Sequence, residues 1–387
     1  MSYSGGGAGC GSAVPSGCRC RENHAMNREL TLDYLLRYFV ASGASDLHLT
    51  AATPPYLRLN GELVPGDTVQ PVAAVDLERL TRELVGEQPY EKFKRDHELD
   101  MALSFENTRL RINLYRQQGA IAWALRALPE SFIPLEQLGL PPPVTAMACQ
   151  MKKGLVLVTG ATGSGKSTTL ASIINQINVS RSCHIFTIED PIEYRHANRR
   201  AFISQREIGS DAVSFPEALR RILREDPDVV LIGEMRDRET MSAALTLAET
   251  GHLTFATLHT ASAVQTVSRL IGAFPANEQD QIRTQLATTL SLVLSQQLIP
   301  RQDRPGRSMA AEILVATPAL KAMIRENKLH QMLSLMQTGA GLGMRTMNQA
   351  LAELWRQQQI SREAALAWSW DKEDLIRTLA ITPAGDK

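Results

Sequence analysis

Gly160-Ala161-Thr162-Gly163-Ser164-Gly165-Lys166-Ser167-Thr168 is the stretch whose reading decides the fold. It follows the apolar run Leu155-Val156-Leu157-Val158 and precedes a helix-forming run over residues 170–177. The string fits G-x-x-x-x-G-K-[ST] in the strand-to-helix context that the motif requires. Gly160, Gly163 and Gly165 let the backbone turn tightly, so that its N–H groups point inward and cradle phosphates. The helix N-terminus behind the loop adds about half a positive charge toward the same anion. Lys166 reaches the β- and γ-phosphates, and Ser167 offers a hydroxyl to Mg²⁺. The stretch therefore predicts a site for a nucleoside triphosphate, with ATP and Mg²⁺ as its ligands.

The chain around it has 387 residues, enough for two or three domains with their own cores. Apolar content of 44% and charged content of 21% are those of a globular protein. The 41 basic residues balance 41 acidic ones, so no global field draws the chain to nucleic acid or anionic lipid. No apolar run approaches the ~20 residues of a membrane span, and no signal-peptide pattern is present. Cys10, Cys18, Cys20, Cys149 and Cys183 form neither a disulfide framework nor a paired C-x-x-C zinc pattern, which predicts a reducing, cytoplasmic setting.

Residues 1–25, rich in Gly, Ser and Cys, read as a disordered leader ahead of Met26. A helix is expected over residues 30–42, ended by Gly43. Alternating stretches at residues 46–49 and 56–59, with Asn60-Gly61 as a hairpin turn, read as a small sheet. A helix over residues 74–84 and strands at 100–105, 110–115 and 121–128 complete an α+β domain over residues 26–140. Residues 141–145, with Pro141-Pro142-Pro143, read as the linker and the hinge. On or beside the strands of this domain stand Arg109, Arg111, Arg116 and Arg126, whose guanidinium groups could reach a triphosphate held by the second domain.

From residue 146 to 330, strand and helix alternate as in a doubly wound parallel sheet. The strand at residues 184–188 ends in Glu189-Asp190-Pro191-Ile192-Glu193. Read as lying beside the phosphate-loop strand, it would deliver these acids where ligands bind in open α/β sheets. Glu189 and Glu193 thus become candidates for metal or water handling. The buried strand at 229–232 leads to Glu234, in the position where a hydrophobic strand points an acid toward Mg²⁺. His252 and His259 bracket the strand at 253–258 and are candidate γ-phosphate sensors. Residues 344–354 and 362–370 read as amphipathic helices of a C-terminal segment, 331–387, with Trp355, Trp368 and Trp370 late in the chain.

Together these stretches resemble the secretion and type IV pilus motor ATPases, most closely the pilus retraction group. Ala44-Ser45-Asp46-Leu47-His48-Leu49, the phosphate loop, and the segments 187–194, 224–237 and 250–260 carry the likeness. The assembly and secretion relatives usually carry an extra N-terminal domain and a four-cysteine zinc module, for which this sequence has neither the length nor the cysteines, so the chain is expected to fall outside that branch. Residues 319–326, ALKAMIRE, resemble the retraction signature AIRNLIRE with four central replacements. Residues 115–119 stand near the family's NQNRG stretch, which would make Arg116 a trans-acting arginine.

The resemblance implies a PAS-like N-terminal domain, then a RecA-like ATPase domain with C-terminal helices, assembled as a homo-hexamer with nucleotide sites between domains and neighbouring subunits. It implies Lys166, Ser167 and arginines of the first domain as the positive groups, and Glu189, Glu193 and Glu234 dividing base and metal duties in an order that the residues leave open. The partners implied are an inner-membrane pilus platform protein and, in view of the altered signature, a paralogous motor ATPase. A nucleic-acid translocase is disfavoured by the balanced charge and the lack of a basic-aromatic stripe. A structural ring subunit without useful turnover is disfavoured by the intact loop and acids.

Overall fold

A computed structural model describes residues 30–59, 61–66, 69–128 and 131–380. The expected leader with Cys10, Cys18 and Cys20, and Asn60 of the expected hairpin turn, lie outside the described residues.

The first unit runs α1 (Leu32–Ala41), β1 (Asp46–Leu49), β2 (Tyr56–Leu59), β3 (Glu62–Pro65), α2 (Ala74–Val85), α3 (Glu87–Asp96), β4 (Glu98–Phe105), β5 (Thr108–Gln117) and β6 (Ala120–Ala127). Its sheet is antiparallel in the order β3-β2-β1-β6-β5-β4. Strand β5 shows why one face is covered. Leu110, Ile112 and Leu114 are fully buried, whereas Arg109, Arg111 and Asn113 between them are not. The apolar face packs on Leu35, Leu36 and Phe39 of α1, Leu77 and Leu80 of α2, and Tyr90 and Phe93 of α3. Trp123 closes this core, its indole N–H donating to Thr81 Oγ1 at 2.8 Å, so its polar edge is satisfied without water.

The second unit runs α4 (Pro142–Gln150), β7 (Gly154–Thr159), α5 (Lys166–Ser180), β8 (His184–Glu189), β9 (Phe202–Glu207), α6 (Phe215–Ile222), β10 (Val229–Ile232), α7 (Arg238–Glu249), β11 (Leu253–Leu258), α8 (Ala263–Gly272), α9 (Gln279–Thr289), β12 (Leu290–Pro300), β13 (Arg307–Val315) and α10 (Pro318–Arg325). Residues 142–145, expected as linker, are the first turn of α4, where prolines fit because the N–H groups there need no helical partner. The sheet order is β13-β12-β7-β11-β10-β8-β9, parallel except for the β13 edge. Every residue of β7 is buried, with Leu155 and Leu157 in one core and Val156 and Val158 in the other. A strand sandwiched between two helical layers has no polar face, hence its continuous apolar run.

One expectation is corrected here. Strand β8 does not lie beside the phosphate-loop strand β7, because β11 and β10 stand between them. Three strand spacings put β8 about 14 Å from β7. Strand adjacency is a non-local property that chain order does not reveal.

Helices α11 (Met332–Thr338), α12 (Met347–Arg356), α13 (Arg362–Trp368) and α14 (Lys372–Ala380) follow. Leu351, Ile360, Ala365 and Leu375 pack with Ile299 and Ala310 of the β12–β13 hairpin. Cys149 and Cys183 are free thiols, and burial pushes both above the usual thiol range, so neither is activated. Among the described residues no helix is long and apolar enough to cross a membrane.

Candidate functional site

The loop after β7 leaves the sheet at Gly160 (φ +143°), where a Cβ would stand 2.4 Å from the Gln296 carbonyl oxygen and 2.5 Å from Ser164 Oγ. Only glycine fits that approach. Gly165 (φ +90°) then caps α5, so Lys166 and Ser167 open the helix at the end that favours anions. Lys166 is nine-tenths buried, and its Nζ donates to the carbonyl oxygens of Gly160 (2.9 Å) and Ala161 (3.0 Å). Burial lowers its pKa, and the charges of Glu234 and Glu193 oppose that shift. Ser164 Oγ is buried inside the loop with no hydrogen-bond partner. These are the features of a phosphate cradle: tight glycines, a helix N-terminus, a held ammonium and an orphaned hydroxyl. A cleft of about 820 Å³ reaches Gly165, Thr168 and Thr169 from one side and is lined mainly by the β12–β13 hairpin and the C-terminal helices, with Arg301, Arg307 and Glu353.

The acids converge from two strand ends. Glu234 follows β10, with Arg236 at 2.9 Å from its Oε2 and His259 Nε2 at 3.2 Å from its Oε1. Met235 N–H donates to the Thr257 carbonyl, which fixes the Glu234 turn against β11. From the distant β8 the turn at residues 189–194 folds back across the strand ends, and Tyr194 OH shares a 2.9 Å hydrogen bond with Thr168 Oγ1. Glu193 thereby joins Glu234 in the electrostatic surroundings of Lys166. Glu189 is held differently. Its Oε1 accepts from Thr187 Oγ1 (2.7 Å) and Gln205 Nε2 (3.2 Å), and burial pushes its pKa up to about 7 against those bonds, with Glu193 adding to the rise.

Four expected site residues do not touch the phosphate loop of their own chain among the described residues. His259 stands at the carboxyl end of β11, but His252 stands at the other end, where its carbonyl accepts from Gly154 N–H at the start of β7. Six residues of strand, about 20 Å, separate His252 from the phosphate loop of its own chain. Its ring Nδ1 lies near Thr250 Oγ1 (3.0 Å) and the Leu247 carbonyl (3.1 Å), in a helix-to-strand turn. Arg111 and Arg126 face each other on β5 and β6, and Arg126 donates to Asp46 Oδ1 at 2.7 Å. Arg116 is five residues from Arg111 on the same strand, hence on the opposite face, its guanidinium 5.9 Å from the Phe93 ring centroid. Among the described residues no hydrogen bond or ion pair joins Arg111, Arg116 or Arg126 to the phosphate loop. The arginine that crosses to the second unit is Arg109, on Glu207 and the Ile192 carbonyl.

Phe132 had no signal in the sequence. Coming from the segment between the two units, it stacks on Tyr194 (centroids 5.8 Å apart) and on His196 (4.6 Å). Burial pushes the His196 pKa down to about 4. An unfolded histidine holds its proton up to about pH 6.5. Between those values the unfolded chain binds more protons than the folded one, so stability falls as pH drops from about 6.5 toward 4. His196→Phe keeps a ring for the stack and removes this proton. Its unfolding midpoint should fall less than that of the wild-type protein between roughly pH 7 and pH 5. An equal fall in both would contradict this placement.

A phosphate cradle at the end of the first strand of a parallel sheet, with acids at the same ends of two further strands, defines a P-loop nucleotide-binding ATPase. Comparison with known proteins narrows the class. The profile of the family described as "Type II/IV secretion system protein" matches residues 23–364, and the chain belongs to that family. It is 42% identical to the type IV pilus retraction ATPase PilT of Pseudomonas aeruginosa, over 86% of this chain and 96% of that one. It is 39% identical to the type IV pilus ATPase PilU of the same organism, over 92% and 93%. Among solved structures, the pilus retraction motor PilT with bound ADP superposes with a TM-score of 0.84 at 43% identity, covering 90% of this chain and all of that one. The chain is a nucleotide-binding ATPase of this family.

Proposed function

We propose that this chain is a Mg²⁺-dependent motor that works as a homo-hexameric ring to retract a type IV pilus. The observation that carries the reading is the phosphate loop itself, with buried Lys166 held on the Gly160 and Ala161 carbonyls at the start of α5 and the Glu193-bearing turn tied to that helix through Tyr194 and Thr168. Phosphoryl transfer asks for positioning and charge neutralisation more than covalent chemistry, and this arrangement offers both. The loop N–H groups bind the β- and γ-phosphates, and Lys166 leaves the loop carbonyls to neutralise them. Glu193 and Glu234 orient the attacking water between them, while Glu189 anchors the turn that carries Glu193.

The donor set suits Mg²⁺. The Ser167 hydroxyl would hold it, with Glu234 and Glu189 as the carboxylates assigned to it, and the ion would supply positive charge to the phosphates. Among the described residues no cluster of three His, Cys, Asp or Glu side chains forms a metal cage, and a Mg²⁺ site of this kind does not need one.

Arg111 and Arg126, on the sheet face away from their own core, are proposed to meet the nucleotide of a neighbouring subunit. Closure of one unit on the next would follow triphosphate binding, and separation would follow its loss. The ring would act from the cytoplasm on an inner-membrane platform protein. The resemblance to PilU, together with the changed signature at residues 319–326, favours a second reading, in which the ring works beside a paralogous motor.

Deleting the gene and restoring it with wild-type or Lys166→Ala protein tests the reading. Long filaments and lost twitching should persist with the variant and disappear with the wild type. Normal twitching in the deletion strain would exclude the first reading, and restoration by Lys166→Ala would exclude a motor.

A further inference from the structure

Strand β9, the edge of the larger sheet, carries two side chains that hold the acidic turn in place. Gln205 bonds three points of it: its amide donates to Glu189 Oε1 (3.2 Å) and the Tyr194 carbonyl (2.9 Å) and accepts from His196 N–H (2.8 Å). Glu207, two residues on and therefore on the same face, accepts from Ile192 N–H at 3.0 Å. The same carboxylate oxygen accepts from Arg109 Nη2 at 2.5 Å, and Arg109 Nε donates to the Ile192 carbonyl at 2.7 Å. Both polar groups of Ile192 are thus closed into a ring with one arginine and one glutamate. Arg109 belongs to β5 of the first unit, whereas Glu207 and Ile192 belong to the second.

We infer that Arg109 and Glu207 are positioning residues for the ATPase site, a latch through which the first unit fixes the turn bearing Glu189 and Glu193. This rests on the ATPase reading above. The side chains are each only 12% exposed, so the pair is charge-assisted and poorly screened, and neither partner is satisfied by water when the other leaves. Ile192 immediately precedes Glu193. Releasing its peptide groups lets that carboxylate drift from Lys166, and a displacement of about 1 Å at a reacting site can cost about 100-fold in rate. Gln205 would still hold the turn from within the second unit. What the latch adds is dependence on the first: parting the units withdraws the Arg109 strut and loosens the acid.

The test uses the full chain with Arg109→Ala, Glu207→Ala, the double variant and the volume-keeping Arg109→Met. Each alanine variant should lower kcat about 10- to 100-fold, with KM and ADP affinity held within about threefold because the phosphate loop is untouched. The double variant should be no slower than the worse single one, since both break the same ring. Hydrogen exchange at the amides of residues 192–194 should quicken in Arg109→Ala. Multiplying losses in the double variant, unchanged kcat in Arg109→Ala, or unchanged exchange would each overturn the latch. Should an alanine variant unfold, Arg109→Met decides the matter: it keeps the buried stem and removes both donors to Glu207 and the Ile192 carbonyl, so wild-type kcat and exchange in it would overturn the latch. A wild-type protein without turnover would defeat the ATPase reading alone, since the exchange comparison still decides whether Arg109 holds the turn.

Discussion

Lys166→Ala should abolish measurable ATP turnover, a loss on the order of 10³-fold in kcat. The ammonium is the one fixed positive charge inside the cradle whose contacts, the Gly160 and Ala161 carbonyls, belong to the loop itself. Those carbonyls are weak holders that a triphosphate can replace, so the charge is available to the ligand. Glu234 and Glu193 favour its charged form against the burial that lowers its pKa. Alanine at the first position of α5 keeps the helix, because that position needs no side-chain cap and alanine is a strong helix former. The variant should therefore unfold near the wild-type temperature while phosphate release is lost. Steady-state phosphate release beside thermal unfolding checks this, and turnover within tenfold of wild type would refute the assigned role.

Glu234→Gln should bind nucleotide and turn it over some 10²- to 10³-fold more slowly. Glutamine matches glutamate in size, so the Met235 N–H bond to the Thr257 carbonyl and the turn it fixes should survive. What is lost is the negative charge between Arg236 and His259, and with it the basicity that orients and polarises water. Lys166 loses one of the two acids that favour its charge, yet keeps Glu193. Affinity for ATP should therefore hold or rise, because a like charge facing the γ-phosphate has gone. Binding of a labelled nucleotide together with single-turnover hydrolysis separates the two effects. A variant that lost binding along with turnover would show Glu234 to be structural.

The two variants divide the site as the chain divides it. Lys166 acts from a local motif, so both its identity and its surroundings can be read from nine consecutive residues. Glu234 and Glu193 act from strands that only the fold brings together. Glu234 was legible because a short apolar strand ending in an acid is a repeated pattern. Glu193 was legible as a carboxylate, but its route to Lys166 was misplaced. It arrives by a turn that runs back from a strand three spacings away, pinned by Tyr194 to Thr168.

Other placements follow from the same cause. His252 and His259 are equivalent in sequence, each flanking one strand, yet a parallel strand has a functional end and a remote end. The direction of β11 against β7 decides which is which. Arg116 and Arg111 differ by an odd number of residues, so the pleat sends them to opposite faces. Gln205, Glu207 and Phe132 carried no signal because their meaning lies in what they touch.

The sequence alone determined the phosphate loop, the alternation of strand and helix, and the family to which the chain belongs, since each depends on residues close together along the chain. Tertiary structure alone decided strand order, which turn is tied to the phosphate-loop helix, and that Arg109, among the described residues, spans the two units. Hydrogen bonds within a turn form between neighbours and leave their mark in adjacent letters. Contacts between strands and units form between residues as much as 136 positions apart, and only the closed fold states which of them meet.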